Sequence, residues 1–234
     1  MRTAQEVKNF IKASYENTPP EMVNGFYLDK EISAPTALVY TDGTSSVVIH
    51  RGTKSGSDWK NNLAYFAGMY EKTKRFKTGK KVQQDAERKY GSNNVSTVSH
   101  SQGSIIARKV GEKSKEIINV NPAWLGERQK PNEYNIRSDA DIISGFYQPY
   151  KQATDLLYPK YSKKHNISIP AENTLDVLGE HNSNVLDRLG EKQIGGSGIK
   201  PKVALLKHPA LQSNPLSSNF HFRFQKIRKS KQDI

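Results

Sequence analysis

The chain of 234 residues contains no cysteine. That absence excludes disulfide staples, zinc–thiolate sites, iron–sulfur clusters and a cysteine nucleophile together. It also favours an intracellular setting, because secreted domains often rely on bridges. No apolar run approaches the roughly 18 residues of a membrane span. The opening MRTAQEVKNFIKASYENTPP lacks the apolar stretch of a signal peptide. It predicts instead an amphipathic helix with Val7, Phe10, Ile11 and Tyr15 on one face. The expectation is a cytoplasmic or virion-associated protein rather than a classically secreted one. Internal repeats are missing, as are H-E-x-x-H, P-loop and G-x-G-x-x-G patterns and carboxylate clusters with metal-ligand spacing. No cofactor is therefore expected. What remains, 35% hydrophobic and 25% charged, fits one domain with an appendage, long enough to bury a core without staples.

Acidic residues are scarce at the C-terminal end. The chain holds 36 Lys+Arg against 23 Asp+Glu, a net charge of +13. From Lys192 onward nine basic residues stand against Asp233 alone, so +8 of that total falls in the last 43 positions. A polyanion partner is implied: an anionic membrane surface first, nucleic acid or an acidic protein otherwise. A merely solubilising tail is the plain alternative. Within it Phe220–Lys229 alternates apolar with polar residues and then turns basic, as base-stacking segments, edge strands and membrane-surface segments all do. The stretch Ile194-Gly195-Gly196-Ser197-Gly198 reads as a linker. The expected organisation is a domain over 1–191 followed by a linker and basic tail over 192–234. The same letters resemble the hydrophobic-x-G-x-G cleavage site of adenovirus-type maturation proteases, which implies a viral particle component with a releasable tail. Glycine–serine linkers produce them equally well.

Short apolar runs alternate with helical stretches, the pattern of an α/β domain. Strands are predicted at Thr36–Tyr40, Ser46–His50, Val95–Ser99, Ile117–Asn121, Tyr134–Arg137 and Leu175–Leu178. Asp42-Gly43 marks a hairpin between the first two. Helices are predicted at Trp59–Tyr70, Lys80–Tyr90, Ser101–Gly111 and Gln148–Leu157, with Gly91 and Gly111 at C′ positions.

The most informative segment is NVSTVSHSQGSIIARKVG. A β-branched run leads into Ser99-His100-Ser101-Gln102-Gly103 and then directly into helix-forming residues. A strand, a sharp turn carrying a serine, and a helix form a nucleophile elbow. Small residues are needed two before and two after the serine, where strand and helix approach closely. Gly103 supplies the second, and Ser99 stands where glycine is usual. Upstream, VVIHRGTKSGSDWKNNL runs from a strand into Arg51-Gly52-Thr53, then a polar loop, then Asp58-Trp59 opening a helix. These two motifs, in this order and spacing, resemble the class 3 (fungal-type) lipase family. In that family an arginine-glycine-threonine or -serine turn precedes a D-W-x-x-D-L helix start; here Asn62 replaces the second aspartate. The resemblance runs from about Phe26 to His181 and leaves out the basic tail. It implies an α/β-hydrolase fold, a sheet flanked by helices, and hydrolysis of lipid esters.

Acyl transfer requires donors aimed at the developing oxyanion. The backbone N–H of Gln102, after the serine, is one candidate; Thr53, with an N–H and a hydroxyl, is the other. Arg51 is expected to hold its loop through an internal ion pair. A serine also needs a base, and the base an orienting acid. In this fold the chain order is serine, acid, histidine. His50 and His100 precede or abut the serine, His165 sits in a basic loop, and His208 and His221 fall in the tail. His181 remains, in a loop before a short helix, and resembles the histidine that closes the family's domain. For the acid, NIRSDADIIS offers Asp139 and Asp141. Asp141-Ile142-Ile143 matches the family's D-x-V pattern better, with Asp139 the alternative. The expected triad is Ser101, Asp141 and His181, acting on a lipid or other carboxylic ester. The rival reading is a vestigial hydrolase scaffold that binds membranes or nucleic acid through its tail.

Overall fold

A computed structural model of the chain describes residues 2–53, 70–123, 129–139, 141, 165–173 and 175–194. The predicted helices Trp59–Tyr70 and Gln148–Leu157, the Asp58-Trp59 motif, Trp124, and the basic segment from residue 195 lie outside these residues almost entirely.

The chain opens with strand β1 (Arg2–Thr3) and helix α1 (Ala4–Tyr15). Thr3 starts the helix through a capping box: its hydroxyl accepts from Glu6 N at 3.1 Å, and the Glu6 carboxylate accepts from Thr3 N at 2.7 Å. Val7, Phe10 and Ile11 are fully buried, the face the periodicity marks out. Four strands follow: β2 (Met22–Val23), β3 (Phe26–Leu28), β4 (Ala37–Thr41) and β5 (Ser46–His50). Asp42 and Gly43 turn the β4–β5 hairpin, with Gly43 at φ +93° and the Asp42 carboxylate accepting from Thr44 N and Ser45 N. Then come α2 (Lys74–Tyr90), β6 (Val95–His100), α3 (Gly103–Val110), β7 (Glu116–Val120), β8 (Glu133–Ser138), β9 (Asn166–Ile169), α4 (Val177–Glu180) and β10 (Gln193–Ile194).

Strands β2 to β9 form one eight-stranded sheet in chain order. The pairings β2–β3, β3–β4 and β4–β5 are antiparallel; every pairing from β5 to β9 is parallel. The protein is thus mixed α/β, with a mostly parallel sheet flanked by helices. Strand alternation decides what packs where. Leu38, Tyr40, Val47, Ile49, Val98 and Ile118 join α1 on one face, while Ala37, Val39, Val48 and Val95 join Val82 and Ala86 of α2 on the other. Tyr70 and Phe76 are buried with Ile105 and Ile106 between α2 and α3. The short strands β1 and β10 pair antiparallel, and Ile194 is fully buried, so ordered pairing extends past residue 191. Among the described residues no helix is long and apolar enough to cross a membrane.

Three expectations are corrected. Leu175–Leu178 is not a strand: Val177–Glu180 is a helical turn, with the Asp176 carboxylate accepting from Gly179 N at 2.9 Å and Leu175 91% exposed. The strand that completes the sheet is β9, whose Asn166 and Ser168 disguise it. Helix α2 begins at Lys74, six residues before the predicted start, where the Thr73 hydroxyl accepts from Phe76 N. Gly111 has φ −85° and continues α3 into a 3₁₀ turn, Gly111–Lys113, instead of adopting the left-handed C′ conformation. Its small size has another use: a β-carbon there would lie 3.2 Å from Ile117 Cγ1 and Thr97 Oγ1.

Candidate active site

The parallel strands end together on one edge of the sheet, where open α/β sheets bind their ligands. Strand β5 delivers Arg51-Gly52-Thr53 there, β6 delivers Ser101, and β8 delivers Asp141. Ser101 has φ +52°, a left-handed conformation that costs a non-glycine residue roughly 1–3 kcal/mol. Neighbouring backbone imposes it: Ser101 N donates to Val120 O at 3.1 Å, and Ser101 O accepts from Ser104 N at 3.0 Å and Ala123 N at 3.2 Å. The turn is as tight as its sequence predicts. A β-carbon on Gly52 would lie 2.8 Å from Ser101 Cβ, and one on Gly103 would collide with the His50 carbonyl oxygen. Ser99 is tolerated in place of glycine because its hydroxyl donates across the sheet to Asn119 Oδ1 at 2.6 Å.

The structure brings the three predicted residues together. Ser101 Oγ lies 2.8 Å from His181 Nε2, and His181 Nδ1 lies 2.9 Å from Asp141 Oδ2. Asp141 is 1% exposed. With Nδ1–H turned to the carboxylate, Nε2 is left to accept the serine proton. Asp139, the alternative acid, is exposed and accepts from Ser168 Oγ, away from the histidine.

Gln102 and Thr53 meet beside the serine. Among the described residues the Gln102 N–H has no acceptor, as a donor reserved for a ligand would. The Thr53 hydroxyl, however, donates to Gln102 Oε1 at 2.9 Å. In this arrangement it fixes the Gln102 side chain and leaves the Thr53 N–H as that residue's oxyanion candidate. Arg75, on the first turn of α2, donates to the same Gln102 Oε1 at 3.2 Å and to the Arg51 carbonyl. For Arg51, expected to form an internal ion pair, no carboxylate pairs with it among the described residues, and its Nη1 makes one long contact, 3.5 Å, to Ser14 O.

Sequence reasoning missed two supports of this site. His100 abuts the serine in sequence and packs against His181, its ring centroid 5.4 Å from that of His181. Its Nε2–H donates to the His181 carbonyl at 2.9 Å, so its Nδ1 accepts from the Tyr15 hydroxyl at 2.7 Å. The Tyr15 oxygen in turn accepts from Gly52 N at 2.8 Å. A continuous polar chain therefore links the loop after β5 to the backbone of His181. Burial holds the imidazolium form of His100 down, to a pKa of about 4, and pushes the Tyr15 phenol up to about 12, so both stay neutral. The second support is Asn121, fully buried at φ +43°. Its Nδ2 donates to Glu180 O at 3.0 Å and Asn182 O at 3.1 Å, either side of His181, and its Oδ1 accepts from Ser138 N at 3.1 Å. One carboxamide thus ties the loops of the base and the acid.

Among the described residues no group of three His, Asp or Glu side chains could hold a metal ion. No protein-family model matches the chain, and neither a curated protein nor a solved structure matches it.

Proposed function

We propose that this protein is a serine hydrolase cleaving carboxylic esters of lipid type. The observation that carries the reading is the ordered contact series Ser101 Oγ–His181 Nε2–His181 Nδ1–Asp141 Oδ2, at 2.8 and 2.9 Å. It stands at the C-terminal edge of parallel strands with the serine on a strained turn. His181 takes the proton as Ser101 Oγ bonds to the acyl carbon. The carbonyl oxygen becomes an oxyanion held by the N–H groups of Gln102 and Thr53. The tetrahedral adduct collapses, the C–O bond to the alcohol breaks, and His181 returns the proton to the departing oxygen. Water, deprotonated by the same imidazole, then releases the acid and restores Ser101. Asp141 holds the tautomer and stabilises the imidazolium without itself taking the proton.

Lipid as the substrate class rests on the resemblance of the Arg51-Gly52-Thr53 and Ser101 motifs to class 3 lipases. The excess of basic side chains fits an anionic interface, which favours phospholipid over neutral fat. The test is labelling by a fluorophosphonate probe: full-length protein is expected to be modified at Ser101 alone. A protein that takes no probe, at Ser101 or elsewhere, is the vestigial scaffold instead.

A further inference from the structure

Among the described residues no carboxylate pairs with either of two arginines beside Ser101. Gly52, which packs on Ser101 Cβ, follows Arg51 directly, and Arg75 reaches Gln102, the residue after the serine. Among the described residues, the ionisable groups within electrostatic reach of Arg75 include Tyr15, His50, Tyr70 and Arg51, none of them a carboxylate. Those that face Arg51 are Arg75 and Tyr15. The other arginines and lysines of this region behave differently where acids are near: Lys81 and Arg88 share Asp85, and Lys89 pairs with Asp29 and Glu31. Both guanidinium groups are half-buried, and among the described residues both keep a buried Nε–H without an acceptor. Arg75 has a local duty, holding Gln102 Oε1 and Arg51 O. That duty needs donors but no positive charge, and Arg51 has scarcely any duty at all.

Two like charges held together where water is partly excluded repel each other, and the repulsion is relieved when an anion joins them. Guanidinium groups suit phosphate oxygens, which accept two parallel N–H bonds. We infer that Arg51 and Arg75 form a phosphate-recognition pair at the rim of the site, selecting esters whose alcohol or acyl part carries a phosphoryl group a few atoms from the scissile bond. The inference rests on the hydrolase reading and narrows its substrate class. The phosphate belongs to a lipid headgroup or to a small soluble phosphate ester; the chemistry recognised is the same.

The test compares full-length protein on dibutyroyl glycerol phosphate, below its micellar concentration, with the neutral dibutyroyl glycerol. The wild type is expected to favour the phosphorylated ester in kcat/KM. Arg51→Gln is expected to cut that preference by about tenfold to a hundredfold, chiefly through KM, as the loss of charged hydrogen bonds does. Arg51→Lys keeps the charge without the fork and restores part of it. Phosphatidic acid vesicles against phosphatidylcholine vesicles then separate the sources: a preference seen only on vesicles assigns the pair to lipid headgroups. A second readout does not need turnover: calorimetric binding of a diether glycerol phosphate to Ser101→Ala, lost in Ser101→Ala/Arg51→Gln. If Ser101 takes the fluorophosphonate but no ester preference depends on Arg51, the phosphate pair is overturned and the hydrolase stands. If the diether phosphate binds through Arg51 while Ser101 takes no probe, the hydrolase falls and the anion site stands.

Discussion

Gly103 packs its α-carbon against the carbonyl group of His50, two elements that are neighbours only because β5 and β6 pair in register. A methyl group at Gly103 would collide with the His50 oxygen and lie 2.7 Å from Arg51 O. Both obstacles are backbone, and His50 is paired with Ser99 on the strand that leads to the turn. Gly103→Ala is therefore expected to cost more than the usual overpacking penalty of about 1–3 kcal/mol. Gly43→Ala is the reference, since Gly43 has φ +93° with nothing within 4 Å and loses only about 1 kcal/mol through its backbone angle. Urea denaturation of both variants checks the order; equal losses would mean that the turn is not tight.

Removing the Ser101 hydroxyl leaves the buried packing untouched. Ser101→Ala is expected to keep the wild-type melting temperature and to lose about 10⁶-fold in turnover of a p-nitrophenyl ester. A variant with an unchanged rate sinks the assignment of Ser101 as nucleophile.

The turn was legible because its rules are local. A β-branched run ending in Ser99-His100-Ser101-Gln102-Gly103 constrains geometry within a few residues, and so does Arg51-Gly52-Thr53. The hairpin at Asp42-Gly43 and the buried face of α1 followed for the same reason. What stayed hidden is built from contacts between distant segments. Tyr15 and His100 are separated by 85 positions, and nothing in either neighbourhood announces the other. Strand β9 is hidden in the sequence because its Asn166 is polar; that side chain belongs to a half-buried ladder, accepting from Asn135, which accepts from Asn119, and donating onward to Gln129 Oε1. The early turns of α2 were obscured by Lys74–Lys81, a run of charge broken by Gly79. A β-carbon on that glycine would lie 2.9 Å from Ile106 Cγ2 and 3.2 Å from His50 Nδ1, a tertiary reason invisible in the sequence.

The choice of acid has a direct test. Asp141 faces His181 Nδ1 at 2.9 Å, while Asp139 is exposed beside Ser168. Asp141→Asn is expected to slow turnover about 10⁴-fold, because the amide favours the wrong imidazole tautomer. Asp139→Asn is expected to stay within a factor of about three, as exposed substitutions away from the site do. The reverse order in kcat would assign the acid to the other aspartate.

Stability is expected to depend on pH through two buried histidines. Burial lowers both His50 and His100 to about 4 from an ordinary value of 6.5. Below pH 6.5 the unfolded chain gains protons that the folded chain refuses, so stability is full above that value and falls down to about pH 4. The total loss is on the order of several kcal/mol. Glu180, held down to about 2 first by its Arg188 hydrogen bonds, adds a further loss only below about pH 4.5. Urea midpoints from pH 7 to 4 measure the slope. His100→Gln, which keeps a donor for the His181 carbonyl, is expected to remove about half of it; a slope unchanged by His100→Gln would place the titrating groups elsewhere.

Tyr15 holds two backbone regions of the site at once, accepting from Gly52 N and donating to His100 Nδ1. Tyr15→Phe keeps the ring and its edge contact with His100, whose centroid lies 5.7 Å away. It removes only the hydroxyl, leaving the N–H of buried Gly52 and a buried imidazole nitrogen without that partner. Such orphaned groups cost about 1–3 kcal/mol each, so a lower melting temperature is expected but does not distinguish positioning from packing. The pH profile does. With Nδ1 no longer bonded by the phenol, His100 can flip or protonate, and its Nε2–H loses its fixed aim at the His181 carbonyl. Turnover is then expected to fall more than KM rises, with the acid limb of the kcat profile shifted. A variant that is less stable yet keeps the wild-type profile would reduce Tyr15 to a packing residue of α1.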